Sequence, residues 1–262
     1  MNICVCIKQV PASSNVKINP ENGTLVRDGN NTKMNPYDLY AIETALRVKE
    51  MKDSQVRAIT MGPPAATAIL EEAVWMGCDD GYLLTDRKFA GADVVATSYT
   101  LSQGIKYMGK YDLVVCGKQT TDGDTAQVGP QIAEHLGIPQ VSYLEDLKYD
   151  GNKTFRIKKQ LEDGYQMVEV ESPCLLTCLA SAVKPRYMSV KGIVEAWDKE
   201  VEIWTEEKID VSEEKLGLKG SPTKVKKAGA KEMKAAGQVH DGLSPEEAAD
   251  LIIAKLKEKY II

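Results

Sequence analysis

The first 140 residues alternate short apolar runs with stretches of helical periodicity, and that alternation leaves few folds open. Residues 2–7, 55–61, 80–84 and 113–116 are apolar or β-branched and of strand length. Between them, Leu39, Ile42 and Leu46 recur on one helical face. Val94, Ser98, Leu101, Ile105 and Met108 form a longer stripe. Residues 65–76 lie between Pro63-Pro64 and Gly77, the asymmetry of a helix start and stop. Strands separated by helices predict crossover connections and a parallel sheet covered on both faces.

After Pro139 the pattern changes. Residues 141–149, 153–160 and 165–170 read as strands joined by Asp150-Gly151-Asn152 and Asp163-Gly164. Such steps supply the positive φ angles of hairpin turns, so an antiparallel ribbon over 141–170 is expected, followed by an apolar strand at 174–179. From about Lys184 core-forming density falls. Residues 217–237 are rich in Lys, Gly and Ala, with Glu232 the only carboxylate, and read as a solvated linker. Ser244 then caps a helix with Pro245 at its first position, running to about Tyr260 with Leu251, Ile252 and Leu256 on one side. The predicted organisation is an α/β domain over 1–183, ribbon included, and a C-terminal arm over 184–262. The arm could fold back on its own domain or reach a partner subunit.

A net charge of −5 gives no nucleic-acid footprint. No apolar run approaches the ~18 residues of a membrane helix, and the N-terminus lacks the basic start and apolar stretch of a signal peptide. Cys4/Cys6 and Cys174/Cys178 alternate as strand residues, Cys78 and Cys116 stand alone, and there is no C-x-x-C pair. These thiols read as small buried hydrophobes in a reducing cytoplasm rather than as zinc or iron–sulfur ligands.

In an open parallel sheet, ligands sit beyond the carboxyl ends of the strands. The loops at 8–11, at 61–63 and from Gly117 onward meet that condition. So does a helix start at Asn35, Pro36, Tyr37 and Asp38, where Asn35 can cap, Pro36 leaves no orphan N–H and Asp38 holds a capping-box position. An ordinary capped helix would also explain those four residues. The polar run from Gly117 to Gly137 goes further: Gly123 allows close backbone approach, Thr125 offers a hydroxyl, Gln127 an amide, and the first helical turn offers N–H groups to an anion. Pro130 permits a start with Gly129 as cap. The shared face of Val128, Ile132 and Leu136 favours an earlier start, near Thr125. Neither the dinucleotide glycine fingerprint nor the P-loop is present. No nucleophile elbow, H-E-x-x-H or cysteine–histidine pair occurs, so the chain is expected to hold a nucleotide without independent bond-making chemistry.

Several motifs in order resemble the beta subunit of electron transfer flavoproteins. They are Cys-Ile-Lys-Gln-Val-Pro at 6–11, Met-Asn-Pro-Tyr-Asp at 34–38, Gly-Lys-Gln at 117–119 and Asp-Gly-Asp-Thr-Ala-Gln-Val-Gly-Pro at 122–130. Lys184-Pro185-Arg186-Tyr187 and the closing Leu-Ile-Ile-Ala-Lys-Leu-Lys run complete the set. The resemblance implies a Rossmann-like (adenine-nucleotide alpha-hydrolase-like) domain whose arm wraps an alpha subunit in a heterodimer. It implies cofactor contacts at Cys6, Asn35, Pro36, Tyr37, Asp38 and Met61. It adds Gly123, Asp124, Thr125, Ala126, Gln127, Val128, Gly129, Pro130, Gln131, Ile132, Ala133 and Glu134. Ordinary members hold AMP there. In the electron-bifurcating branch, which the 122–130 run resembles more, the site holds FAD. NADH is then the donor, with ferredoxin or flavodoxin and a flavin-dependent dehydrogenase, of acyl-CoA or hydroxy-acid type, as acceptors. The family's dehydrogenase-docking loop corresponds to residues 179–183, where Ala182 stands near the position of the usual large apolar anchor. A stand-alone adenine-nucleotide module and a conventional NAD-dependent dehydrogenase are the competing readings.

Overall fold

The structure, a computed structural model, describes residues 1–12, 31–224 and 237–262. It divides into two compact units, Met1–Ala228 and Gly229–Ile262. The first is built on a nine-stranded sheet. In chain order its strands and helices are β1 (Asn2–Cys6), β2 (Gln9–Pro11), β3 (Thr32–Met34), α1 (Pro36–Met51), β4 (Gln55–Met61), α2 (Thr67–Met76) and β5 (Asp80–Leu84). Next come α3 (Val94–Met108), β6 (Leu113–Gly117), α4 (Val128–Leu136), β7 (Gln140–Tyr149), β8 (Thr154–Leu161), β9 (Gly164–Glu171) and β10 (Cys174–Cys178). α5 (Val190–Glu195) and β11 (Glu202–Trp204) close the unit. The second unit carries α6 (Pro245–Glu258).

Sheet order is β11-β5-β4-β1-β6-β10-β7-β8-β9, parallel from β11 to β7 and antiparallel through β8 and β9. The expected parallel sheet and ribbon are both there. Alternation along β1 sorts its side chains between two cores. Ile3 and Val5 pack with Ala41 and Ile42 of α1 and Ile69 and Leu70 of α2. Cys4 and Cys6 pack with Leu101 and Ile105 of α3 and Ile132 and Ala133 of α4. Both faces of the sheet are therefore dry around β1, which is why its central parallel strands read as apolar runs.

Three strands lay outside the sequence expectation. β2 and β3 form a small antiparallel pair that carries the chain from β1 toward α1. β11 pairs parallel with β5, so a segment beyond residue 184 adds a strand to the sheet. Trp204 is the reason: its ring is buried 4.5 Å from that of Tyr82 and 5.0 Å from that of Tyr107, centroid to centroid. Ile209 and Leu216 join the same core. The expected linker also begins later than read. Ser221 Oγ accepts from the Asp93 amide at 2.8 Å, and Thr223 donates twice to the Asp93 carboxylate, fastening the segment beside α3. Residues 225–236 of that linker lie outside the described residues. α6 has the anticipated start, a full capping box between Ser244 and Glu247 behind Pro245. Among the described residues no helix is long and apolar enough to cross a membrane.

Candidate functional site

The chain leaves β1 for β4 on one side and returns, after β5 and α3, to β6 on the other. Strand order reverses between β1 and β6, and the carboxyl ends of those strands flank the crevice where open α/β sheets hold ligands. Cys6 and Cys116 are in register across it. Contact with Cys116 favours the Cys6 thiolate, but Cys4 and burial outweigh it and hold the thiol well above its ordinary range. Cys116 is pushed well up by Cys6 and by burial. All six cysteines are buried and free, so these thiols are packing groups. Met61 ends β4 next door, half-buried.

α1 enters this crevice, yet Asn35 does not cap it: no side-chain cap bond forms. Its Nδ2 donates to Asp38 Oδ1 and to the Gln119 carbonyl, both at 2.9 Å, and its Oδ1 accepts from the Thr121 amide at 3.2 Å. Asp38, expected as a capping-box acceptor, takes the Lys8 amide at 2.7 Å instead. Burial drives the Asp38 carboxyl up to about 7 against the downward pull of Asn35, Lys8 and the Gly117 amide. Gly117 is required here, because a Cβ would collide with Asp38 Oδ1 and sit 2.8 Å from the Tyr37 carbonyl carbon. Pro36 and Tyr37 are half-buried beside them.

The loop after β6 stands over the same edge. Lys8 Nζ reaches both oxygens of Asp122 at 2.8 Å. Burial pushes the Asp122 carboxyl up, and the Lys8 ammonium more than reverses that, leaving it below its usual range. The Asp124 amide closes a turn on the Thr120 carbonyl at 2.9 Å, while the Gln119 side chain donates to Asp124 Oδ1. Asp124 and Ala126 both sit at φ 55°. Left-handed backbone is tolerated by Asp and costs Ala roughly 1 kcal/mol, and such strain gathers at functional sites.

Those two residues also overturn the earlier helix start. A right-handed helix cannot run through them, so α4 begins at Val128 rather than near Thr125. Pro130 then falls in the first turn, where its missing N–H leaves nothing unpaired. No side chain caps α4, and the Val128 and Gly129 amides precede the first helical hydrogen bond, Gln131 N–H to Gln127 O at 3.1 Å. Thr125 and Gln127 are exposed beside them.

The remaining candidates on α4 look elsewhere. A Cβ on Gly129 would lie 2.8 Å from Thr177 Cγ2, so this glycine lets α4 close on β10. Gln131 Oε1 accepts from Ser98 of α3 at 2.9 Å, Ile132 and Ala133 are core residues, and Glu134 is exposed. Gly123 differs from all of these: its φ is ordinary, and an added Cβ would meet only Thr120 Oγ1, at 3.5 Å. Packing within the chain does not require a glycine there.

Free amides, hydroxyls and a helix start at a switch point suit a phosphate. His135 lies edge-on to Tyr99, and burial and Lys106 lower its pKa. Among the described residues no group of three His, Cys, Asp or Glu could hold a metal ion. Sequence reasoning had placed Lys8 and Gly117 in the edge loops without a role, and had given Gln119 none. The motifs at 6–11 and 117–119 pointed at them.

The sequence profile of the electron transfer flavoprotein domain matches residues 22–209. The chain belongs to the electron transfer flavoprotein family. Its full-length likeness is to beta subunits of that family. It is 53% identical to the electron transfer flavoprotein subunit beta of Clostridium acetobutylicum, with all of both chains covered. It is 48% identical, again over both whole chains, to subunit CarD of the caffeyl-CoA reductase–Etf complex of Acetobacterium woodii. The acryloyl-CoA reductase electron transfer subunit gamma of Anaerotignum propionicum is 45% identical with the same coverage. In this electron transfer flavoprotein chain the motif Lys184-Pro185-Arg186-Tyr187 is pinned to α1. Arg186 Nε donates to Glu43 Oε2 at 2.7 Å, and Nη1 lies 2.8 Å from Glu50. Tyr187 beyond it is 93% exposed, so the motif fixes a backbone and leaves an aromatic ring outside.

Proposed function

We propose that this chain is the beta subunit of a heterodimeric electron transfer flavoprotein whose switch-point crevice holds the adenine-nucleotide part of an FAD. The electrons come from NADH and are divided, by flavin-based bifurcation, between ferredoxin or flavodoxin and a partner dehydrogenase. The observation that carries the reading is the loop from Gly123 to α4, with its free amides, left-handed residues and a glycine that packing does not demand. FAD, when bound, supplies the hydride- and electron-transfer chemistry. The chain's part is to bind and orient it: the Val128 and Gly129 amides and the Thr125 hydroxyl for phosphate oxygens, Gly123 for close approach. None of these groups needs to move a proton.

Two relatives are named as parts of caffeyl-CoA and acryloyl-CoA reductases, which favours an acyl-CoA-type dehydrogenase partner. Ala182, half-buried against the core, offers no large anchor in the 179–183 loop, so a hydroxy-acid enzyme is the second candidate. A cofactor count on the purified heterodimer tests the whole reading. Two FAD per heterodimer, reduced by NADH, is the expected result. One FAD with one AMP would make the chain a simple carrier subunit, and no flavin at all would remove the proposal. A chain that binds ATP or AMP as a stable monomer or homodimer, with no alpha subunit, would be a nucleotide-binding module instead.

A further inference from the structure

The buried pair at the start of α1 does something that its place among the expected cofactor contacts does not describe. Asn35 is fully buried, and both ends of its amide are already engaged within the chain: Nδ2 with Asp38 and Gln119, Oδ1 with Thr121. Asp38 is 4% exposed and divides its carboxylate between the Lys8 amide and Asn35. What these side chains grip is the first half of the β6–α4 loop. The hold passes on through that loop: Thr120 carbonyl to Asp124 amide, Gln119 side chain to Asp124 side chain. Asp124 opens the strained stretch that ends at the first-turn amides of α4.

We propose that Asn35 and Asp38 are positioning residues, a latch that holds residues 119–124 in the shape that presents the later amides to phosphate, without touching the nucleotide. The proposal rests on the nucleotide reading above for its consequence, but the latch itself is a property of the chain alone. Residue 35 needs two donors and one acceptor at once, in a fixed plane. Asparagine provides them. Aspartate would set an oxygen against both Asp38 Oδ1 and the Gln119 carbonyl, and alanine would leave three polar groups without this partner, one of them the buried Asp38 carboxylate.

A latch and a direct contact differ in how affinity is lost. If the loop must be closed before nucleotide binds, opening it lowers apparent affinity by the factor by which the closed population shrinks, and saturating nucleotide closes it again. A direct contact lowers affinity with no change in the free loop.

The test is amide hydrogen exchange and AMP titration on the full chain in its heterodimer, for wild type, Asn35→Ala and Asn35→Asp. Asn35→Ala should abolish protection of the Thr121 and Asp124 amides and leave α1 and β1 protected. Its AMP affinity should fall about tenfold or more, and saturating AMP should restore protection. Asn35→Asp keeps an acceptor for Thr121 and should lose protection mainly at Asp124. Should Asn35→Ala not fold, Asn35→Asp and the surface variant Lys8→Met decide, the latter costing the loop a few-fold in protection. Weakened AMP binding with an unchanged free loop would overturn the proposal, as would unchanged binding and protection together. Loss of protection throughout α1 and β1 would mark a general packing role and also overturn it. A wild-type complex that takes up no AMP or flavin would sink the nucleotide reading, while exchange at Thr121 and Asp124 still decides the latch.

Discussion

The ammonium of Lys8 sits 2.8 Å from the carboxylate of Asp122, joining the end of β1 to the loop after β6 across 114 residues of sequence. The pair spans the mouth of the switch-point crevice. Both side chains keep contact with water, 43% exposed for Lys8 and 27% for Asp122, so its worth is modest. Asp122→Asn should cost under about 1 kcal/mol in urea unfolding, and less at high salt. The Asp122 carboxyl is held low, so its contribution is present above the unfolded value near 4 and fades as pH falls through the lower folded value. A loss above 2 kcal/mol that ignores salt would mean that the bridge is effectively buried.

Asp38 behaves in the opposite sense. Its carboxyl is raised to about 7, so the folded chain keeps a proton that the unfolded chain gives up near 4. The associated stability is present in full below the unfolded value and is lost as pH climbs through about 7. Asp38→Asn carries no such equilibrium. Urea midpoints of the two proteins, compared from about pH 5 to pH 8, should therefore shift against wild type as pH rises. A difference that stays flat would show that the carboxylate is ionised throughout.

Two glycines at the site should part company. Gly117→Ala places a methyl against Asp38 and the backbone of Tyr37 and should destabilise by roughly 1–3 kcal/mol. Gly123→Val has room within the chain, and thermal unfolding should move little. Nucleotide retained through purification should fall several-fold for Gly123→Val, because close approach is blocked. Equal nucleotide content in wild type and Gly123→Val would place the phosphate elsewhere.

What could be read from the sequence was whatever is local. Helix α2 announces itself with Pro64 and Gly77, the ribbon with its Asp-Gly turns, and α6 with Ser244 and Pro245. Long-range pairings carried no local sign. β11 is three residues long and is held by Trp204 on Tyr82, a contact no periodicity forecasts. Asn35 was legible as a helix-start residue, and its backbone is one. Its side chain bonds 84 and 86 residues away, and only the fold decides that. The start of α4 lay beyond local reading because a positive φ at Ala126 cannot be inferred from a residue type that avoids left-handed backbone.

Glu43 is buried on α1 and is served by Arg186 through Nε, Nη2 and the backbone amide, with Arg47 one turn away. Burial pushes its carboxyl up, and Arg186 pulls it below the ordinary range. Arg186→Ala would leave a largely buried carboxylate with one half-exposed partner, at a cost of about 2–4 kcal/mol. Arg186→Lys should recover little of this, since an ammonium cannot repeat the two-pronged contact. Thermal unfolding of both variants checks the point. Full recovery by lysine would reduce the motif to simple charge pairing.

α6 is capped as firmly as a surface helix can be, yet none of its residues is buried within the chain. Ile252 is 60% exposed and Ile253 43%, on a helix that follows a separate boundary at 228/229. A capping box contributes on the order of 1 kcal/mol, too little by itself to hold a fourteen-residue helix without tertiary packing. On the proposed function the alpha subunit covers the apolar side of this helix. Removing residues 245–262 should leave the unfolding midpoint of the isolated chain within a few degrees of wild type. It should weaken assembly with the alpha subunit by tenfold or more in size-exclusion or titration measurements. Full co-purification of the truncated chain with alpha would show that α6 is not a clamp, and a collapse of the midpoint would show that it belongs to the core.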